Sequence, residues 1–362
     1  MRKFRSLNYF ASICLVLLLM LLTVSTLLTA CSTSETSPSA TTSVTSPSAS
    51  TPTEVFELKL SHHMPPVAPV AQALEEWAKK IEENTNGRVK ITIYPSGTLA
   101  SGSDAYPSTA AGVCDIAYVN NIYEPSKWSL NNIVNQPALQ IPTDIRGVEI
   151  WSKLWEKYPV MLDEFKGVKV LAHMVSLPAS LHTTEAVRVP DDVKGMKISA
   201  QAGNLRVLRN IGASPVAIPA NDWYMSLEKG LMAGILAPIG VLTDRGVEVL
   251  VQYHVDLGLG QGGSCLIINL DRWNSFPPEI QAVFEGLHSW TTDAMIEANN
   301  RVISEGWEKC AGHTIIKPTP EELELWLAYA LPVAEEWIED NEDKGPTREM
   351  FEYAQELIAE IE

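Results

Sequence analysis

The switch of hydrophobic period after Glu54 constrains this chain more than any other feature. Phe56-Glu-Leu-Lys-Leu60 alternates apolar and polar residues and predicts a half-buried strand. Val67 to Thr85 then repeats at helical spacing, with Ala71, Leu74, Trp77, Ala78 and Ile81 on one face, and Asn86-Gly87 ends it. Val89 to Tyr94 predicts a second strand, and Asp115 to Val119 a third after a short helix. Strand and helix in this order predict an α/β fold, a parallel sheet with helices on its faces. The pattern recurs. A helix is expected over 143–165, a strand over 168–174, and short strands at 196–199 and 215–218 around a helix at 204–211. A helix over 222–229 and strands over 234–237 and 265–270 follow, then a long helix from Pro278 to about Cys310. Thr319-Pro-Glu-Glu322 is a capping box with Pro in the first helical position, and the tail from Thr347 reads as helical.

The N-terminus predicts where the chain works. Arg2, Lys3 and Arg5 precede an apolar stretch from about Phe10 to Leu28, the layout of a secretory signal peptide. Leu28-Thr29-Ala30-Cys31 closes it and matches the lipobox of bacterial lipoproteins, which implies cleavage before Cys31 and a lipid on its sulfur. The alternative, one uncleaved membrane helix, exports the rest of the chain equally. Ser32 to Thr53 is almost all Ser, Thr, Pro and Ala, too poor in apolar surface to offset its ordering entropy. It is expected to be a spacer with an average reach of about 25 Å. The protein is therefore expected outside the cytoplasm, held to the bilayer through Cys31, in a periplasm or on an outer surface.

Charge narrows the partners. The chain has 27 basic and 44 acidic residues, and losing Arg2, Lys3 and Arg5 with the leader takes its formal charge from −17 to −20. Such a surface argues against nucleic acid and anionic lipid as partners but not against a small anion held locally. Cys114, Cys265 and Cys310 remain after the leader and lipobox cysteines, an odd number without CxxC spacing, and read as buried thiols with one disulfide left open.

Catalytic and cofactor motifs do not assemble. Gly258-Leu-Gly-Gln-Gly-Gly263 has dinucleotide-fingerprint spacing, but Ser264-Cys-Leu-Ile-Ile-Asn269 after it reads as a strand, whereas a pyrophosphate needs a helix N-terminus there. The glycines read instead as a tight crossing loop. Gly262-Gly-Ser264 lacks the closing glycine of a nucleophile elbow. His62 and His63 are adjacent, so in extended chain they point apart, and no HExxH or Cys/His motif accompanies them. No enzyme activity, metal site or cofactor is expected.

Four blocks carry a resemblance. They are Leu58-Lys-Leu-Ser-His62 with Asn86-Gly-Arg-Val-Lys-Ile-Thr-Ile-Tyr-Pro-Ser-Gly97; Ala111-Gly-Val-Cys-Asp-Ile-Ala117; Val189-Pro-Asp-Asp-Val-Lys-Gly-Met-Lys-Ile198 with Ile211-Gly-Ala-Ser-Pro215; and Asp222-Trp-Tyr-Met-Ser-Leu-Glu-Lys-Gly230. In this order they resemble the solute-binding subunits of tripartite ATP-independent periplasmic (TRAP) transporters of the dicarboxylate-binding type, over roughly 55–317. The resemblance implies a two-lobed periplasmic-binding-protein-like fold with an interlobe cleft, hinge strands and a long helix spanning both lobes. It implies a small-molecule ligand that closes the lobes, and delivery to a small and a large membrane subunit. On this reading 1–30 is the leader, 31–53 the lipidated Cys and linker, and 54–362 the binding domain. The first lobe is expected over 54–172 plus 215–262, the second over 173–214 plus 263–318, and C-terminal helices over 319–362. A tethered sensor or scavenger without a transporter fits the same fold.

The chain departs from the family at the ligand. The family's Arg after the block ending at Ile198 is here Ser199, a second Arg falls near Ala179, and the acidic and Asn positions after the Tyr224 helix read as Ala233, Leu236 and Ala237. A carboxylate in a closed cleft without a matched cation costs several kcal/mol. The expected ligand is therefore an organic acid or an aromatic or apolar relative, less anionic than a dicarboxylate. An alternative is a relocated cation: Arg206, Arg245 or a protonated His. Expected ligand-binding residues are Ser199, Trp223, Tyr224, His62, Ala179, Gln201, Ala237, Asn120 and Met174, with His63, Leu177, Leu236 and Asn204 beside them.

Overall fold

The computed structural model describes residues 54–200, 203–260 and 262–361. The leader, Cys31, the spacer and Gln201 lie outside the described residues. The chain from β1 (Phe56–Ser61) runs through α1 (Pro69–Asn84), β2 (Val89–Tyr94), α2 (Ala105–Ala110), β3 (Ile116–Asn120), α3 (Ile145–Lys157) and β4 (Val168–Val175). The strands β1, β2 and β3 pair in parallel, as their alternation with helices predicts. The expected core face of α1 is buried in full, Ala71 through Ile81 included. The helix expected over 143–165 stops at Lys157 because Pro159 cannot continue it, and a 3-10 turn fills Pro159–Phe165.

A second sheet begins with β5 (Ala179–Thr183), followed by β6 (Lys197–Ser199), α4 (Gly203–Ile211), β7 (Ser214–Val216), α5 (Trp223–Glu228), β8 (Gly234–Ala237), α6 (Ile239–Thr243) and β9 (Tyr253–Leu259). The chain then returns to the first sheet with β10 (Gly263–Asn269), α7 (Leu270–Asn274), α8 (Pro278–Gly286) and α9 (His288–Lys309). It closes with β11 (Thr314–Ile316), α10 (Pro320–Asn341) and α11 (Thr347–Ala359). The sheets are ordered β2-β1-β3-β10-β4 and β11-β9-β5-β8-β6-β7.

The expected lobe boundaries need correction. Residues 215–262, expected in the first lobe, carry β8 and β9 of the second sheet, and 263–318, expected in the second, carry β10 and the first-lobe part of α9. The reason is that β9 ends at Leu259 in one sheet and β10 starts at Gly263 in the other. The fingerprint-like glycines thus join two strands.

Two helices span both lobes. Met295, Ile296 and Ala298 of α9 pack in the first-lobe core, whereas Ile303 and Trp307 pack in the second. Trp326, Ala330 and Val333 of α10 pack in the second lobe, and Ala334, Trp337 and Ile338 in the first. The α10 capping box forms as expected: Glu322 N donates to Thr319 Oγ1 at 3.3 Å and Thr319 N to Glu322 Oε2 at 3.0 Å. Cys114, Cys265 and Cys310 are buried free thiols. Among the described residues no helix is long and apolar enough to cross a membrane.

Candidate functional site

Two neighbouring strands carry the chain between lobes. Val175 at the end of β4 lies opposite Gly263 at the start of β10, and Ala179 at the start of β5 opposite Leu259 at the end of β9. Ser176 N donates to Gly262 O at 2.6 Å between them. Glycine is required here sterically: a Cβ on Gly263 would lie 2.6 Å from the Trp151 ring, and one on Gly260, whose φ is +58°, 2.6 Å from Asn204 Nδ2. The edges that these strands join are the carboxyl ends of β1 and β3 on one sheet and of β6 and β8 on the other. Ligands of open α/β sheets gather at such edges.

Most of the expected site residues come to these edges. His62 follows β1, Asn120 ends β3, Ala179 starts β5, Ser199 ends β6 and Ala237 ends β8. Asn120 Nδ2 donates to Ser176 Oγ at 3.1 Å and to Ser264 Oγ at 2.9 Å, and the two hydroxyls lie 2.6 Å apart. Tyr118 lies beside them; burial pushes its phenol up to about 12, with hydrogen bonding to Ser264 and Ser176 opposing the rise. The floor of the hinge is thus polar, uncharged and internally satisfied.

Above it stand aromatic rings. His63 meets Tyr123 edge-on, with ring centroids 4.9 Å apart. The Nδ1 atoms of His62 and His63 are buried without hydrogen-bond partners among the described residues. Burial lowers both imidazoles, that of His63 to about 4, so at neutral pH neither is a cation. Without ligand, neither therefore offers a standing positive charge in place of the family's Arg.

On the second lobe, Trp223 Nε1 donates to Ser199 Oγ at 3.1 Å and to Ile218 O at 2.9 Å. Both side chains are about 1% exposed. Trp223 is therefore a core residue of the second lobe, not an open wall, because its indole N–H needs these buried acceptors. The guanidinium of Arg245 lies over its ring, 6.0 Å from the centroid. Arg245 is exposed, its Nη1 donates only to Val241 O in the preceding helix at 3.0 Å, and no carboxylate pairs with it among the described residues. Burial raises the Tyr123 phenol, and the charge of Arg245 opposes that rise. Arg206, by contrast, is paired with Glu336 at 2.9 Å. It borders a groove of about 430 Å³ lined from both lobes by Ile122, Asn132, Gln136, Gly203 and Lys344.

Other expected contacts fall elsewhere. Met174 is fully buried in the first-lobe core under α1, since β4 is covered on both faces and no strand parity aims it outward. Leu236 is buried in the second-lobe core for the same reason. Ala179 and Ala237 are buried, and the Ala237 carbonyl accepts from His182 Nε2 at 3.1 Å. Tyr224 is 38% exposed on α5 and Leu177 half-buried in the crossover. Asn204 packs against Gly260 with its Oδ1 buried and unpaired among the described residues. Sequence reasoning missed Ser176, Tyr123 and Ser264, which sit in loop or strand-start positions without a motif.

Two sheets joined by paired crossovers, with two spanning helices and polar strand ends between the lobes, define a two-lobed ligand-binding protein. Residues 60–340 match bacterial extracellular solute-binding protein, family 7, so the chain belongs to that family and is a TRAP solute-binding subunit, extracytoplasmic and not an enzyme. A C4-dicarboxylate-binding periplasmic protein of Rhodobacter capsulatus is 20% identical over 297 residues, 79% of this chain and 87% of that one. A monocarboxylate 2-oxoacid-binding periplasmic protein of Nostoc is 23% identical over 244 residues, 64% of this chain and under two thirds of its own length at 63%. A TRAP solute-binding protein structure from Desulfovibrio salexigens, an open complex, superposes with a TM-score of 0.75 at 25% identity over 83% of this chain and 95% of that one. One from Rhodoferax ferrireducens with copurified benzoate gives 0.74 at 22% identity over 84% and 98%. Dicarboxylates are thus one of several ligand classes among these proteins.

Proposed function

We propose that this protein captures a small organic monocarboxylic acid with an aromatic or otherwise apolar body, and that Arg245 takes the carboxylate. The observation that carries this reading is the placement of Arg245: exposed on the second lobe, over the Trp223 ring, and without a carboxylate partner among the described residues. It supplies the cation that Ser199 and Ala179 do not. A bidentate guanidinium–carboxylate pair suits such a ligand, and the edge-on pair His63 and Tyr123 suits an aromatic or apolar body. A second carboxylate would meet the neutral floor of Asn120, Ser176 and Ser264, and its desolvation would go uncompensated. The benzoate in the Rhodoferax protein and the 2-oxoacid of the Nostoc protein support the class.

Closure of the lobes about the passages from β4 to β5 and from β9 to β10 would then present the loaded protein to the TRAP membrane subunits. Cys31 would hold it at the bilayer; labelling with a radioactive fatty acid, lost in Cys31→Ala, tests that anchor. The ligand itself is tested by purifying the full chain without refolding and identifying the small molecule released on denaturation by mass spectrometry. An aromatic or apolar monocarboxylate is the expected result. A dicarboxylate or a sugar acid would overturn the assignment.

A further inference from the structure

Three metal-ligating side chains converge in the second lobe, away from the cleft. His254 lies in β9, Cys310 caps the C-terminus of α9, and His313 follows in a turn closed by His313 N donating to Cys310 O at 2.9 Å. Parallel pairing of β11 with β9 puts Ile315 beside His254, which brings together residues 59 apart in sequence. One ligand atom from each of the three lies within 4.8 Å of the others. We propose that His254, Cys310 and His313 form a binding site for a borderline-soft divalent transition metal ion of the Zn²⁺ type.

The donor set of two imidazoles and one thiolate is the chemistry such an ion selects. In a tetrahedral site with ordinary bond lengths the ligand atoms stand about 3.3–3.6 Å apart. His254 Nε2 and His313 Nδ1 are 2.9 Å apart, so the imidazoles part by a few tenths of an ångström, with the sulfur adjusting from within 4.8 Å, to hold the ion.

The surrounding hydrogen bonds already fix the required tautomer. His182 Nε2 lies 3.1 Å from Ala237 O and must carry a proton there, which leaves its Nδ1 as an acceptor. His254 Nδ1, 2.7 Å away, then donates to it, so the unshared pair of neutral His254 is on Nε2, facing His313. This is how a metal-binding histidine is oriented: its other nitrogen donates to a buried acceptor. His313 must move its proton to Nε2, which faces Gln252 Nε2 at 3.4 Å, so the Gln252 amide turns over to bring its oxygen there as acceptor. Trp307 packs edge-on against His254 at 5.9 Å and shields the cluster.

Glu248 Oε2 is buried without a hydrogen-bond partner among the described residues, a negative group that a bound cation nearby would answer. Binding would release the Cys310 thiol proton to solvent as the metal–sulfur bond forms. It would also fasten the end of the lobe-spanning α9 to β9, the strand that leads into the Gly260 crossover.

Co²⁺ titration of the full chain after chelator treatment tests this. Wild type is expected to show visible bands of tetrahedral Co²⁺ and a near-ultraviolet thiolate-to-cobalt band, both saturating at one equivalent. Cys310→Ser should abolish the thiolate band. His313→Gln, at a partly exposed position, should weaken binding at least about tenfold without unfolding the chain. Absence of the thiolate band in wild type, its survival in Cys310→Ser, or a Co²⁺ affinity indifferent to His313→Gln would each overturn the proposal.

Discussion

The indole of Trp223 donates to the hydroxyl of Ser199 at 3.1 Å, and this bond occupies the position from which relatives of this chain were expected to extend an arginine toward ligand. Ser199 is thereby a structural acceptor. Ser199→Ala should lower stability by about 1 kcal/mol in thermal denaturation while leaving ligand affinity within about threefold. Ser199→Arg should not create a dicarboxylate binder. It would push a guanidinium into the space of the Trp223 indole, at a cost of about 3 kcal/mol or more.

The interlobe crossover depends on Gly260. Its positive φ and the approach of Asn204 leave no room for a methyl group. Gly260→Ala should cost about 1–3 kcal/mol in urea denaturation. It should also change the ligand-induced decrease in radius of gyration seen by small-angle scattering. An unchanged scattering response would mean that the crossover is not the hinge.

Asn131 holds the first lobe together beneath the cleft. Its Oδ1 accepts from Trp151 Nε1 at 3.0 Å and Trp155 Nε1 at 2.7 Å, while its Nδ2 donates to Met161 O at 2.8 Å and Glu164 Oε2 at 2.7 Å. Asn131→Leu leaves two indole donors buried without acceptors and should cost about 3 kcal/mol or more in urea denaturation.

His173 makes stability depend on pH. Burial lowers its imidazole to about 4, opposed by a hydrogen bond to Val148 O and helped by the neighbouring His288 ring. The folded state therefore binds this proton less readily than the unfolded chain. Its contribution is constant above about pH 6.5, and stability falls with pH from there to about pH 4 by roughly 1.4 kcal/mol per unit. His173→Gln should reduce the measured slope in that window by about this amount; an unchanged slope would place the titration elsewhere.

Much of the fold is legible in the sequence because β1, β2 and α1 each bury one face and so print their period in the chain. Strand β5 escapes because all five residues of Ala179–Thr183 are buried, which erases alternation, and three of them are polar. Strand β9 escapes because Gly258 suggests a loop while it still lies within the strand. Lobe membership after residue 214 is the reverse of the expected one because the short passage from Leu259 to Gly263 carries no local sign of which sheet receives the next strand. The expected single helix from Pro278 breaks at Leu287, just after Gly286, and continues as α9. At the site, strand ends could be placed from motif positions. Side-chain direction could not: Met174 and Leu236 lie on strands covered on both faces. The cluster of His254, Cys310 and His313 depends on long-range pairing that no local spacing encodes.

The central claim is that Arg245 replaces the arginines missing at Ser199 and Ala179. It is tested most directly by calorimetric titration of the copurified acid into wild type, Arg245→Gln and Arg206→Gln. Loss of a charge-assisted pair should weaken binding to Arg245→Gln by about 10–150-fold, with little change in melting temperature because the side chain is exposed. Arg206→Gln, already neutralised by Glu336, should bind as wild type does. Equal affinity in wild type and Arg245→Gln, or a loss confined to Arg206→Gln, would contradict the account.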